Sequence, residues 1–388
     1  MAAFDPRRDG FDEITKPVVD IYDAMERDLI REIASRFAGE YDDVAGSLAW
    51  QIRKLDEMGA LNADTVKIIA RYAGKAEPEI WKMLRRAAAQ NVDMAFLIHA
   101  FETGRIAVDP RIVWDSPAYR NAIENAFVEL RDGVFRMINT NAQQGATQAY
   151  MDVINRAYIE TSSGVWSYDV AIQRALCRMA DKGITAATYE QPSGRVIHYD
   201  IESCVRRDTL TAVDQMANRN SMQMAEDVGA GYVEVSAHIG ARVGKPGTPG
   251  DHAGWQGKVY KLDGSAPGYP NLHDVTGYPD DVTGLAGVNC RHRFYPFVPG
   301  ASVPTEWDID SAENAKVYAE SQRLRYMQRQ VRAWKKRVAA LQAAELPDDK
   351  ELKKAKEKVR EWQIKTAKYA AATGQDREAE RERIAGEW

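Results

Sequence analysis

Two apolar seams toward the C-terminal side of this chain constrain its fold more than any other feature. Leu324, Met327, Val331, Trp334, Val338 and Leu341 advance by alternating steps of three and four, and Leu352, Ala355, Val359, Trp362, Thr366 and Tyr369 repeat the pattern. Such steps set one apolar stripe along a helix, as in a coiled coil. Burying each large side chain contributes ~1.5–3 kcal/mol, so neither stripe is stable in water. Leu346-Pro347-Asp348-Asp349 between them reads as a turn and a helix start. The pair predicts an antiparallel helical hairpin, a coiled-coil-like arm over residues 301–388. Heptad seams serve pairing within one chain and between chains alike.

The outer face of the first tail helix carries Arg323, Arg325, Arg329, Arg332, Lys335, Lys336 and Arg337 with no acid among them. A solvated face is the ordinary use of such a run. In its other use, Arg325, Arg329, Arg332 and Lys336 would meet DNA or an acidic partner surface.

Upstream the helical period dominates. Val18, Tyr22, Met25, Leu29, Ile33 and Phe37 share a face over Pro17 to Phe37. Further helices are expected over Ser47 to Met58, over Ala63 to Tyr72 with Asn62 as cap, and from Glu77-Pro78 onward. Two more are expected over Ser116 to Asn139 and Thr147 to Thr161, parted by a polar stretch containing Gly145. Residues 1–165 are therefore read as a helical N-terminal domain.

A helix over Tyr168 to Lys182, stopped by Gly183, precedes a change of period. The runs Ile184 to Tyr189 and Arg195 to Tyr199 flank the turn Gln191-Pro192-Ser193-Gly194 and predict a hairpin. A helix from Ile201 to Val228 and a buried strand at Tyr232 to Ser236 follow. Gly240 to Gly300 is rich in glycine and proline, leaving short strands at Gly257 to Leu262 and Arg291 to Val298. Residues 166–300 form a small loop-rich α+β domain in this reading, and the whole chain is α+β. A length of 388 residues suits several such parts.

With 45% apolar and 28% charged residues the chain is an ordinary globular sequence. No run reaches the roughly 18 apolar residues of a membrane span, and Met1 to Thr15 lacks the apolar region of a signal peptide. The chain is read as made and kept inside a cell, with no membrane partner. Cys177, Cys204 and Cys290 are odd in number and widely spaced, so reduced thiols are expected. Cys204, before Arg206 and Arg207, reads as a small apolar residue on an inner helix face. A net charge of −5 argues against a surface built throughout to coat nucleic acid.

The chemistry concentrates in three blocks: Val235 to Arg242, Asp251 to Tyr260, and Gly287 to Pro296. If loops join them, His238, His252, Cys290 and His292 offer nitrogen and sulfur donors that zinc accepts. Their spacing fits no standard zinc pattern, and Cys290 and His292 are only two apart. The favoured reading is a set of buried hydrogen-bonding groups satisfying a loop-rich backbone, with no metal and no cofactor. His252, Asn289 and His292 also supply the residue types of a His-Asn-His metal nuclease, but almost forty residues separate them. The chain has no Gly-x-Ser-x-Gly elbow, phosphate loop or His-Glu-x-x-His helix, so no catalytic residue is assigned.

The blocks VSAHIGAR, HAGWQGKVY and GVNCRHRFYPFVPG, in that order, resemble the signatures of the phage minor capsid protein 2 family, relatives in role of Mu F-like head morphogenesis proteins. The likeness extends to GITAATYEQPSGRVIHYDIESCVRRDTL and, more loosely, to the helical flanks. It implies a virion protein of few copies at the portal vertex of a tailed phage, assembled in the host cytoplasm. Its partners would be the portal protein, capsid proteins and packaged DNA. The family offers no catalytic residues to carry over; a metal-dependent nuclease carried in the virion is the alternative. Ser236, His238, Gly240, Arg242, His252, Trp255, Gln256, Gly257, Asn289, Cys290, Arg291 and His292 are expected to hold the signature domain together. Trp255, Trp334 and Trp362 are candidate anchors for core or partner. Against the family's shorter spacer, the longer Arg242–His252 loop loosens the expected coupling of His238 to His252.

Overall fold

The computed structural model describes residues 11–38, 47–90, 98, 101–104, 109, 111, 117–164, 166–190, 194–227 and 229–384. About 66% of the described residues are helical, with small antiparallel sheets, an α+β fold dominated by helices. Packing divides it into two compact units. Unit 1 takes its residues from Met1–Pro17, Pro78–Gly133 and Arg206–Ser321, and unit 2 from Val18–Glu77, Val134–Val205 and Gln322–Trp388.

The helices on the N-terminal side are α1 (Asp12–Ser35), α2 (Leu48–Asp56), α3 (Met58–Gln90), α4 (Pro117–Val128), α5 (Arg136–Ser162) and α6 (Tyr168–Lys182). In α1 the predicted stripe is buried: Val18, Tyr22, Met25, Leu29 and Ile33 are all within 1% of complete burial. Ser47 caps α2 by accepting the Trp50 N–H at 3.2 Å. Two expected breaks are corrected. The helices expected on either side of Glu77-Pro78 are one helix, α3, with Pro78 inside it. Asn62 is no cap there; its Oδ1 accepts the Thr147 hydroxyl at 2.8 Å.

Nor does the polar stretch with Gly145 separate two helices. Helix α4 runs through a π-helical turn, Glu129–Phe135, into α5, and α5 contains Gly145. A Cβ at Gly145 would lie 2.4 Å from the Thr185 carbonyl oxygen, so glycine is there for the close approach of a strand. That strand, β1 (Thr185–Glu190), pairs antiparallel with β2 (Val196–Asp200), which is the predicted hairpin. Its turn residues 191–193 lie outside the described residues, as does Val228. Helix α6 ends at Gly183 as expected, whose N–H reaches the Met179 carbonyl.

In unit 1, β3 (Tyr232–Val235) is the middle strand of a three-stranded antiparallel sheet, between β4 (Val259–Lys261) and β5 (Phe294–Phe297). All three strands fall in the segments expected to be strands. Short helices α8 (His252–Trp255) and α9 (Leu272–Thr276) fill the connections, and α7 (Ile201–Asp227) precedes β3. Met224, Val233, Val235, Trp255, Tyr260, Leu285 and Phe294 belong to one buried apolar cluster.

The tail forms α10 (Ser311–Ala344) and α11 (Lys350–Thr373). Tyr326 and Trp362 meet edge to face at 6.2 Å, so the two helices touch within one chain. Leu324, Met327, Val331 and Leu341 are buried, as the seam predicts.

The basic run does not form one outer face. In unit 2, Arg332 and Lys336 are 7% and 5% exposed, and each is locked to carboxylates. Arg332 lies 2.5 Å from Asp23 and 3.6 Å from Glu202; Lys336 lies 2.9 Å from Glu26 and 2.6 Å from Asp200. These two are therefore corrected from candidate DNA or partner contacts to interior ion pairs, since a buried cation needs its partners close. For the same reason α10 is not a free arm. Arg323 and Arg329 are exposed, and Arg325 is half-buried.

Candidate functional site

The sheet of unit 1 brings the three signature blocks together. Ser236 and His238 leave the end of β3, and Cys290 and His292 lead into β5, so the antiparallel pairing places them side by side. The Ser236 N–H donates to the Arg293 carbonyl at 2.7 Å, and the Arg293 N–H returns a bond to Ser236 Oγ at 3.0 Å. His252 and Trp255 belong to α8, tied back by the Ala253 N–H to the Arg242 carbonyl at 3.0 Å.

At the centre are His292, 1% exposed, and Cys290 and His252, each 2% exposed. The His292 ring is 4.6 Å from that of His238, 4.8 Å from Trp255 and 5.3 Å from His252. His238 and His252 are thus joined through His292, so the long loop before His252 does not uncouple them. Ligand atoms of His252, Cys290 and His292 all lie within 4.8 Å of one another.

Hydrogen bonds set the ring protons. His252 Nε2 lies 2.8 Å from the Thr283 carbonyl oxygen, which can only accept, so Nε2 carries the proton. Gln256 Oε1 accepts the His238 backbone N–H at 3.0 Å, which identifies that atom as oxygen. It also lies 3.0 Å from His292 Nε2, so this nitrogen is a donor too. In both neutral rings Nδ1 keeps the lone pair, and His292 Nδ1 is 3.7 Å from Cys290 Sγ. Burial holds His252 down to about 4 and His292 well below the usual histidine range, so both rings are neutral at pH 7. Burial pushes the Cys290 thiol up to about 12, with Asp214 adding to it.

The other expected residues hold the backbone around this centre. Arg242 donates to the carbonyls of Thr283 at 3.0 Å and Val288 at 2.5 Å. Trp255 Nε1 donates to the Pro249 carbonyl at 2.8 Å. Asn289 takes φ 57°, a left-handed conformation that asparagine tolerates better than most residues. Arg291 pairs with Asp12 at 2.8 Å. Gly257 has φ 68°, and a Cβ there would lie 2.8 Å from Trp307. Gly240 packs against Val317.

Sequence reasoning missed the supports behind these groups. Asn218 on α7 brackets the start of β5, accepting the Phe294 N–H at 3.2 Å and donating to the His292 carbonyl at 3.5 Å. Asn314 on α10 does the same to Ala241, at 2.9 and 3.1 Å. Asp214, Asn218 and Ser221 are all buried, and their spacing of four and three on one helix face was the available signal.

Of His252, Asn289 and His292, the types a His-Asn-His nuclease needs, the two histidine rings come within 5.3 Å, while Asn289 is exposed. Yet the two rings are buried with Nε2 committed to carbonyl oxygens, and Asn289 serves a turn. The arrangement satisfies and fixes loop backbone.

Residues 6–371 match the family described as Phage minor capsid protein 2, nearly the whole chain. The chain belongs to that family. It is 25% identical over 306 residues to a structural protein of Lactococcus phage LL-H, covering 75% of this chain and 77% of that one. It is 38% identical over 74 residues to a structural protein of Lactococcus phage mv4, covering 19% of this chain and 58% of that one. No solved structure matches the chain. These names describe virion structural proteins, not enzymes. Among the described residues, no helix is long and apolar enough to cross a membrane.

Proposed function

We propose that this protein is a low-copy component of the phage head, placed near the portal vertex and acting in head assembly by protein contacts. Its partners in this reading are the portal protein and the capsid shell. The observation that carries a contact role is the burial of the polar cluster: His252, Cys290 and His292 are turned inward and spent on their own loops. The position at the portal is what the family resemblance implies. Packaged DNA is a further partner in this reading, met by the exposed Arg329 with Arg325 beside it. Such contact weakens steeply with salt and is reduced by Arg329→Glu.

Labelling of this chain in intact virions, read in an asymmetric reconstruction, tests the placement. The expected result is label at one vertex in each mature head. Label equally distributed over all vertices, or mature heads without the chain, would overturn the proposal.

A further inference from the structure

We propose that Cys290 Sγ, His292 Nδ1 and the lone-pair nitrogen of His252 hold a divalent transition-metal ion, zinc by the chemistry of the donors. The ion would tie the loop carrying α8 to the approach to β5, stretches almost forty residues apart in sequence. The inference takes from the proposed function only that this cluster holds loops.

Separation comes first. With zinc–sulfur near 2.3 Å and zinc–nitrogen near 2.0 Å, tetrahedral angles put sulfur about 3.5 Å from nitrogen. Cys290 Sγ and His292 Nδ1 are 3.7 Å apart, and one ligand atom from each of His252, Cys290 and His292 falls within 4.8 Å of the others. Two positions apart in sequence is a tight bite, yet the backbone around Cys290 accommodates it: Ala286 and Asn289 both take left-handed φ, 59° and 57°, wrapping the chain about the sulfur.

The second observation is the outer partner of each ring. A histidine that ligates a metal donates its other N–H to an oxygen, which fixes the tautomer and aims the lone pair. His252 donates to the Thr283 carbonyl, and His292 donates to Gln256 Oε1, itself held by the His238 N–H. Both rings are thus set to present Nδ1. A third observation concerns the sulfur, which receives the His292 backbone N–H at 3.4 Å and that of Ala286. Hydrogen bonds of this kind to a ligand atom are the outer contacts that fix its orientation.

One sulfur with two imidazoles suits zinc and not magnesium or calcium, which take oxygen ligands. His238 is not among the residues whose ligand atoms gather at this point; its ring stacks on that of His292. The fourth position falls to a non-protein ligand such as water. A metal clip explains why two histidines and a cysteine meet in a region whose strands are only three or four residues long.

The test uses the full chain, incubated with zinc sulfate, desalted and assayed for metal. The expected result is one tightly held zinc per chain, retained by Cys177→Ser and reduced at least ten-fold by Cys290→Ser. Should Cys290→Ser fail to fold, X-ray absorption of the zinc-loaded wild-type protein decides, with one sulfur at about 2.3 Å and nitrogens at about 2.0 Å expected. No retained zinc, or a shell without sulfur, overturns the proposal. Amide hydrogen exchange on the same samples separates the two readings: loops protected without zinc refute the metal and leave the scaffold, whereas loops unprotected with and without zinc refute both.

Discussion

The two units keep polar groups in their interiors by opposite means. In unit 2 the buried network around Arg332 and Lys336 is charged. Arg332 and Lys336 face Asp23, Glu26, Asp200 and Glu202, and the Glu26 carboxylate also accepts the Ile184 N–H at 3.0 Å. In unit 1 the centre is neutral, built from imidazole, indole, thiol and amide groups bonded to loop carbonyls. Helices satisfy most of their own backbone, so unit 2 can direct side-chain charge at other side chains. The loops of unit 1 leave backbone groups unpaired, and neutral donors answer them without the desolvation that a buried charge brings. The helices of unit 2 thus bury ion pairs, whereas the loops around His292 are held by neutral polar side chains.

The largest expected effect breaks the charged side of that contrast. Lys336→Ala leaves Glu26 and Asp200 buried without their shared cation, which should cost ~3–5 kcal/mol, read by urea denaturation. A loss below about 1 kcal/mol would mean the network is not desolvated. Next comes the neutral side: Gln256→Ala strands the His238 N–H and His292 Nε2–H, at about 1–3 kcal/mol for each buried donor left unpaired.

The two designs also differ in their response to pH. Burial pushes the Glu26 carboxyl up to about 7, against Lys336 and with help from Asp200. A raised acid holds its proton in the folded state, so this contribution is full below about 4.5 and is lost as pH rises through about 7. Asp200 is shifted the other way: burial alone would raise it, but Lys336, Ser203 and Arg332 hold it well below the usual carboxylate range. Its contribution is present above about pH 4 and lost in stronger acid. Stability of unit 2 against denaturant should therefore decline between about pH 4.5 and 7, and Glu26→Gln should flatten that decline. The smallest effect is expected at the exposed Arg329, where Arg329→Glu should change stability by less than about 0.5 kcal/mol. A larger loss there would place that side chain in the interior with Arg332.

The apolar stripes of α1 and α10 and all three strands of unit 1 were legible because each depends on residues close in sequence. The burial of Arg332 and Lys336 was not. Gln328, Arg332, Lys336 and Ala340 stand four apart and form a second inward stripe beside the seam. Their charge hid it, because the partner Asp23 is 309 residues from Arg332 in sequence. Gly145 was misread for a similar reason: the backbone oxygen that requires a glycine belongs to Thr185, forty positions on. The site itself was read as a set of residue types in three blocks. Its outer supports, Asn218 and Asn314, were missed because a helical asparagine looks the same whether it faces water or brackets a strand; only the spacing of Asp214, Asn218 and Ser221 pointed to Asn218.

Hydrogen exchange of the wild-type chain and of Gln256→Ala, followed residue by residue, bears most directly on the view that the His/Cys/Trp cluster exists to hold its loops. Amides at 238–242 and 283–292 should exchange several-fold faster in the variant, while those of α10 in unit 2 keep their wild-type rates. Unchanged protection in both loops would show that they stand without the cluster.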